Sequence, residues 1–327
     1  MRRRDFITLI GGGAAVAWPF AARAQQTKSP ARIGMLPIGL PSNSYDKSLV
    51  ESFRQGLRDV GIVENRDVML DIVWSSGDLD VAVNEMIQRG VELLVPCGSS
   101  GSAAASRRTS TIPIVFINVG NPVGLGIVRS LLRPGRNVTG FSDVLADLSG
   151  KYVELARELG GRQATVDYLW HTEWPDGQRR HDATEQAAQS LGAQIRSWGI
   201  KDVAGLDDAV AAIKKSGAST FIIQPSPFTY TQRARVIDAA NKYRLGTVYG
   251  FPIAARDGAL VAYGPDYVDM YRQAGIYVAR ILKGEEPTNL PVVEPTKFVM
   301  VINRKTAEAL ALIVPNTMLV AADEVIE

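Results

Sequence analysis

The 327-residue chain has little of what builds metal and redox sites: a single cysteine, Cys97, and two histidines, His171 and His181. One Cys excludes an internal disulfide framework and any Cys-cluster zinc or iron–sulfur site, and two His leave no His-rich centre. No metal and no cofactor is therefore expected. Charge of one sign is scarce too. With 36 Lys+Arg against 34 Asp+Glu, no broad basic surface is available to neutralise phosphates, which argues against a nucleic-acid partner. Aromatic residues make up only 7% of the chain, so those at strand ends stand out. What remains is ordinary for a globular protein, 46% hydrophobic and 21% charged, and this excludes collagen-like, coiled-coil and disordered readings. Thirty Gly and 17 Pro imply many tight turns between short elements.

Long hydrophobic runs are also missing, except at the start. Arg2, Arg3 and Arg4 precede an apolar, small-residue stretch from Phe6 to Ala22, and Ala22-Arg23-Ala24 is an A-x-A cleavage pattern. The stretch is too short and too glycine-rich for a good spanning helix, so a cleaved export signal is expected over residues 1–24 rather than an uncleaved anchor. Arg3-Arg4-Asp5-Phe6-Ile7 is similar to the twin-arginine signal core. Residues 1–24 carry four Arg and one Asp, a net +3, so the +2 of the whole chain becomes −1 once they are removed. The expected object is a near-neutral mature protein released after Ala24, without stable membrane insertion.

From residue 32 onward, short apolar runs alternate with amphipathic patterns. Strands are expected at Arg32–Leu36, Val68–Val73, Glu92–Pro96, Ile114–Ile117 and Val138–Phe141, with helices between the first four, near Tyr45–Val60, Leu79–Arg89 and Gly101–Arg107. The count then restarts near Leu148 with helix Leu148–Leu159, strand Thr165–Trp170, helix Arg180–Leu191 and strand Gln194–Trp198. It continues through helices Leu206–Lys215, Thr229–Tyr243 and Tyr267–Leu282 and strands Thr220–Ile223, Gly246–Tyr249, Ala259–Tyr263 and Phe298–Ile302, ending in a short helix Arg304–Leu310. Continuous Val/Ile/Leu strands separated by helices read as parallel sheets covered on both faces. More than ten strands exceed one doubly wound sheet, so the expected fold is α/β with two Rossmann-like lobes. A (β/α)8 barrel would alternate as well, but Pro287, Pro291 and Pro295 punctuate an extended tail that suits two lobes better.

Ligands in open parallel sheets lie beyond the carboxyl ends of the strands. The loops there are Pro37 to Pro41, Cys97 to Ser102, Asn118 to Pro122, His171 to Trp174, Gln224 to Pro227 and Tyr249 to Pro252. Three serines around Gly101 at a helix start offer free N–H groups and hydroxyls for a carboxylate or phosphate; plain N-capping by Ser99 or Ser100 would explain them equally well. Trp170, Trp174, Tyr249, Phe251 and Tyr263 at strand ends can stack on a planar apolar ligand or simply pack. Enzyme signatures are absent. Gly98-Ser99-Ser100-Gly101 is one residue short of G-x-S-x-G, Gly150-Lys151 lacks the upstream Gly of a P-loop, and neither His sits in a nucleophile pattern. Cys97 reads as a small buried filler.

Several segments together carry a family resemblance: Ile112-Pro113-Ile114-Val115-Phe116, Asn121-Pro122-Val123-Gly124, Arg133-Pro134-Gly135-Arg136-Asn137-Val138-Thr139-Gly140, Gly258 to Gly264, Ile281-Leu282-Lys283-Gly284 with Pro287 and Leu290-Pro291, and the tail Ile302-Asn303 to Glu327. The chain resembles ABC-transporter substrate-binding proteins of the family that includes tryptophan and aromatic amino acid binders. The resemblance implies a type I periplasmic binding protein whose two lobes are joined by three crossing segments, near Ser142–Leu148, Tyr263–Asp266 and Pro291–Lys297. It implies a first lobe of residues 30–145 plus 264–291 and a second of 146–263 plus 292–327. Ligand contacts would come from Gly39, Ser99, Ser100, Gly101 and Asn121, from Asp143 as partner of a ligand amine, and from Trp170, Gln224, Pro225 and Tyr249. The loop His171-Thr172-Glu173-Trp174-Pro175 falls outside the family pattern.

The function this implies is capture of a small organic solute, an amino acid or an aromatic carboxylate, in the periplasm, and delivery to an ABC permease with its ATPase. Two other classes remain: a ligand-sensing module for a membrane receptor, and a secreted α/β enzyme using Ser99 or His171.

Overall fold

Strand β1 (Ala31–Leu36) and strand β4 (Ile114–Val119) show why this sequence makes parallel sheet: four of six side chains in β1 and five of six in β4 are buried, as a sheet covered on both faces requires. In the computed structural model, which describes residues 29–74, 77–161 and 164–327, these strands join β2 (Val68–Ile72), β3 (Leu93–Pro96) and β5 (Val138–Ser142) in a five-stranded sheet. Its order is β2-β1-β3-β4-β5, with every pairing parallel. The expected export signal, residues 1–24, lies outside the described residues.

A second sheet follows: β6 (Thr165–His171), β7 (Gln194–Ile200), β8 (Thr220–Ile223), β9 (Gly246–Tyr249), β10 (Val261–Pro265), β11 (Phe298–Asn303) and β12 (Glu324–Ile326). Its order, β12-β11-β10-β9-β8-β6-β7, contains the topology of the first sheet again, because β7-β6-β8-β9-β10 repeats the 2-1-3-4-5 arrangement. Two separate sheets dispose of the barrel alternative. They are mostly, not wholly, parallel: β10 and β11 run antiparallel, with Tyr263 opposite Met300. The chain leaves β10 at Pro265 and comes back beside that same end, where the Asp266 N–H donates to the Lys297 carbonyl at 3.0 Å. Starting from that end, β11 can only run backward along β10.

Helix α1 (Ser44–Asp59) is started by Asn43, whose side chain accepts from the Asp46 N–H at 3.1 Å. It buries Leu49, Val50, Phe53 and Leu57, a spacing that places them on one face. Against it lies α10 (Tyr267–Leu282), although α10 follows a strand of the second sheet. The two backbones nearly touch. A Cβ on Gly56 would come within 1.9 Å of the Arg272 carbonyl oxygen, and one on Gly275 within 2.3 Å of that of Phe53. Glycine at both positions is what permits this approach.

The chain therefore passes between the sheets three times: from β5 to α4 (Ser149–Leu159), from β10 to α10, and back through residues 290–297 to β11. The third pass is tied to the first, with Ser142 N–H donating to the Val293 carbonyl and Val293 N–H to that of Gly140, both at 2.9 Å. Beside the first pass, Val144 has φ 47°, a left-handed conformation that a β-branched residue adopts only under constraint. The expected helix over 229–243 is instead two, α7 (Pro227–Thr231) and α8 (Arg233–Lys242). A capping box at Ser226 and Thr229 starts the earlier turn by itself. The short α9 (Ile253–Arg256), α12 (Asn316–Ala321) and β12 left no periodic pattern long enough to read.

Candidate functional site

In a 2-1-3-4-5 sheet the chain leaves strands 1 and 3 in opposite directions, which opens a crevice at their carboxyl ends. The structure has two such crevices, between β1 and β3 and between β6 and β8, and they face one cavity. On the first side, its walls are Ile38, Gly98, Ser99 and Asn118, with Asp143 and Leu145 from the segment after β5. On the second they are Trp174, Arg180, Pro225, Ser226, Pro227, Tyr230 and Phe251. Helices α1 and α10 add Leu49, Tyr267 and Tyr271. Between its atoms the cavity encloses about 520 Å3, mouth included, of which about 30 Å3 is free to the centre of a water molecule. The walls are close enough together that only about two waters would fit between them.

The strongest electrostatic feature is Arg180, on α5 (Gly177–Ser190), 2% exposed. Its Nη2 donates to both oxygens of Asp143 at 2.9 and 3.1 Å, and its Nε to Oδ2 of Asp176 at 2.9 Å. Burial works against its charge, but Asp143 and Asp176 more than offset that and hold the guanidinium above its ordinary pKa. This pair joins the segment after β5 to a helix packed on the second sheet. Gly120 makes room for it, since a Cβ there would lie 2.2 Å from Arg180 Nη2. Arg180 Cζ also sits 4.8 Å from the centre of the Trp174 ring. Its Nη1, the Asn118 Oδ1 and the Tyr267 hydroxyl are buried with no partner among the described residues.

A second link crosses the cavity floor. The Tyr230 hydroxyl, on α7, donates to Oδ1 of Asp46 on α1, and the Leu40 N–H donates to its Oδ2 at 2.8 Å. Burial first, and then the Asp46 charge, push the Tyr230 pKa well above its usual value, so it remains a donor. Tyr230 packs edge-on against Phe251, centroids 5.1 Å apart, and Phe251 against Tyr267 at 6.0 Å. The cavity is thus aromatic on its broad faces and ionic at one end.

Of the residues expected to touch a ligand, three line this cavity: Ser99, Asp143 and Pro225. Asp143 is not free for an amine, because Arg180 occupies both oxygens and the Leu145 N–H donates to Oδ1 at 3.0 Å. Ser100 is exposed and lines an outer recess with Arg107 and Trp174. Gly101 packs inward, where a Cβ would meet the Leu36 side chain at 3.3 Å. Neither serine is a cap: α3 (Gly98–Arg108) starts at Cys97, with no side-chain cap bond. Gly39, at φ 112°, gives way to the Asp46 carboxylate, 2.2 Å from where its Cβ would be. Asn121, at φ 56°, accepts from the Gly124 N–H at 3.0 Å and lines a recess beside the segment after β5.

The remaining three belong to the second sheet's own packing. Trp170 packs at a tilt against His181, centroids 4.8 Å apart. Gln224 is fully buried and ties β8 to α5, donating to the Gly177 carbonyl at 2.8 Å. Tyr249 is fully buried in the core. His171 stacks on Phe228 and contacts the Lys201 carbonyl through Nε2 at 3.0 Å. Cys97 is buried, and burial pushes its thiol pKa up to about 12, as an inert filler requires.

The residues that reading by loops passed over, Arg180, Tyr267 and Tyr271, sit on helices. Their periodicity did carry a signal. Arg180, Thr184 and Ala188 are all buried on α5 at i, i+4, i+8, and Tyr267, Tyr271, Ala274 and Val278 follow the inward stripe of α10.

Residues 42–326 match the family described as ABC transporter substrate binding protein. A protein of Clostridioides difficile described as a tyrosine-binding protein is 23% identical over 271 residues, covering 82% of this chain and 77% of its own length. A solved ABC domain from Streptococcus pneumoniae in complex with L-Trp is 21% identical and superposes with a TM-score of 0.82 over 91% of this chain and all of its own. A conserved domain protein from Vibrio cholerae, 24% identical, gives 0.83 over the same shares. Among the described residues, no helix is long and apolar enough to cross a membrane.

Proposed function

We propose, for a chain that belongs to the ABC transporter substrate-binding protein family, that it is a periplasmic solute receptor: it captures a small organic solute, an amino acid or an aromatic carboxylate, between two lobes and delivers it to a membrane permease and its ATPase. It acts as a binder, not an enzyme. The observation that carries this reading is the single cavity shared by the β1/β3 and β6/β8 crevices, aromatic on its faces and closed at one end by the Arg180–Asp143 pair. We place the lobes at residues 30–145 plus 264–291 and 146–263 plus 292–327, with the three crossing segments as hinge. Opening at that hinge admits the solute; contacts to both walls then favour the closed state, a population shift. The binding of relatives to tyrosine and tryptophan supports an aromatic solute.

The test is a thermal-shift screen of the mature chain against amino acids, aromatic acids and aliphatic acids. A ligand that binds only the folded state at about 100 times its Kd adds about 2.7 kcal/mol, which raises Tm by several degrees at this size. A selective shift that is abolished when Phe251→Ala opens the aromatic wall supports capture in the cleft. A panel without any shift, or a shift that Phe251→Ala leaves intact, removes the cavity from consideration as the solute site.

A further inference from the structure

We propose that the solute is an organic acid without an ammonium group, of the arylalkanoate kind, whose carboxylate is held by the remaining face of the Arg180 guanidinium. This rests on the reading of the cleft as a solute site and decides between the two classes that reading leaves open.

The argument is one of unspent and spent hydrogen-bonding groups. A guanidinium offers five N–H donors. Arg180 commits Nε to Asp176 and Nη2 to Asp143; the residue lines the solute cavity and is 2% exposed, and its Nη1 has no partner among the described residues. A buried charged donor left unmade is costly, and a carboxylate is its natural acceptor, through a charge-assisted bond. The Tyr267 hydroxyl and the Ser99 side chain border the same cavity and can donate to an acid as well.

An ammonium finds no such opening. Three carboxylates lie in or beside the cavity: Asp143 and Asp176 are already paired with arginine, and Asp46, which does not line the cavity, is held by two neutral donors. Asp143 holds Arg180 Nη2 and the Leu145 N–H. Asp176 takes Arg179 on both oxygens, at 2.6 and 2.8 Å, as well as Arg180. Asp46 takes the Tyr230 hydroxyl and the Leu40 N–H. Among the described residues, what the wall leaves unpartnered as a buried side-chain acceptor is neutral, the Asn118 amide oxygen and the Tyr267 hydroxyl. A zwitterion would have to bury its cation against that, or break an existing pair, whereas an acid uses only what is free. Trp174, Tyr230 and Phe251 supply the flat apolar surface for an aryl body.

Three probes that share one phenol ring separate the possibilities by isothermal titration: 3-(4-hydroxyphenyl)propanoate, tyrosine and tyramine. The expected result is that the propanoate binds at least about tenfold tighter than tyrosine, the burial of an unpaired ammonium costing at least that much, and that tyramine, which lacks the carboxylate, gives no heat. Arg180→Lys, which keeps the cation and loses the fork, should weaken the propanoate by about tenfold or more, with the fold checked by circular dichroism. Tyrosine binding as tightly as the propanoate overturns the inference and leaves the cleft as a solute site. If tyrosine loses that affinity in Asp46→Asn, Asp46 is its ammonium partner. No heat from any of the three, from other aryl acids or from amino acids overturns both.

Discussion

The two walls of the cleft are built on one topology and differ in chemistry. Where β1 to β5 end, the chain offers small residues and backbone: Gly39, Gly98, Ser99 and Gly120. Where β6 to β9 end, it offers Trp174, Arg180, Tyr230 and Phe251. Two of these large groups, Arg180 and Tyr230, reach across to a place that glycine leaves open on the first wall. Arg180 Nη2 occupies the space that a Cβ at Gly120 would take, and Gly39 stands clear of the Asp46 carboxylate that receives Tyr230. One wall is a receiver and the other an intruder, which teaches that they fail in opposite ways. The first should be sensitive to added volume, the second to lost groups.

The largest effect is expected from removing the intruding charge. Arg180→Met leaves Asp143 and Asp176 buried at 4% exposure each without their shared partner. Breaking a buried pair from one side typically costs about 3–5 kcal/mol, and urea unfolding at pH 7 should show a loss of that order. A loss below about 1 kcal/mol would mean that water reaches the two carboxylates and that the second wall does not depend on its charge. Next comes added volume on the first wall's support. Gly275→Ala drives a methyl into the Phe53 carbonyl oxygen, 2.3 Å away, and should cost roughly 1–3 kcal/mol as α10 is pushed off α1. An unchanged midpoint would show that α10 can slide along α1.

Much of the receiving wall was legible in the sequence, because its signals are local. Strand, glycine, serine and helix start follow one another within a few residues at Val95 to Ser102, and Ser99 is found in the cavity. The repeated βα rhythm likewise foretold two sheets. The intruding wall was harder. Arg180 sits in Arg179-Arg180-His181, which looks like a solvated face, and its burial depends on Asp143, 37 positions earlier, in a crossing segment that no local pattern joins to α5. Gln224 and Tyr249 illustrate the converse. Both follow or end a strand as a ligand contact would, yet the first is spent on the Gly177 carbonyl and the second packs into the core. A strand end fixes where a residue is, while the neighbouring elements decide which way it points.

A smaller perturbation tests whether volume on the first wall acts through the second. Gly120→Ala places its Cβ on Arg180 Nη2 and 3.1 Å from Asp143 Oδ1. The guanidinium must shift, so affinity for the best-binding acid of the screen should fall by about tenfold, equivalent to about 1.4 kcal/mol. Unchanged affinity would show that Arg180 has room elsewhere and that the close fit at Gly120 is packing alone.

The smallest effect divides two neighbours that look alike in sequence. Ser99 is 7% exposed and lines both the cavity and the outer recess; Ser100 is exposed and lines the outer recess alone. Because neither caps α3, Ser→Ala at either position should leave stability nearly unchanged, which makes affinity a clean readout. Ser99→Ala should weaken ligand binding by roughly 0.5–1.5 kcal/mol, the net worth of one hydrogen bond, and Ser100→Ala should not weaken it measurably. Equal losses would place the ligand in the outer recess, which both serines line together with Trp174. No loss at Ser99 would leave the receiving wall as shape alone and put all the polar recognition on the intruding side.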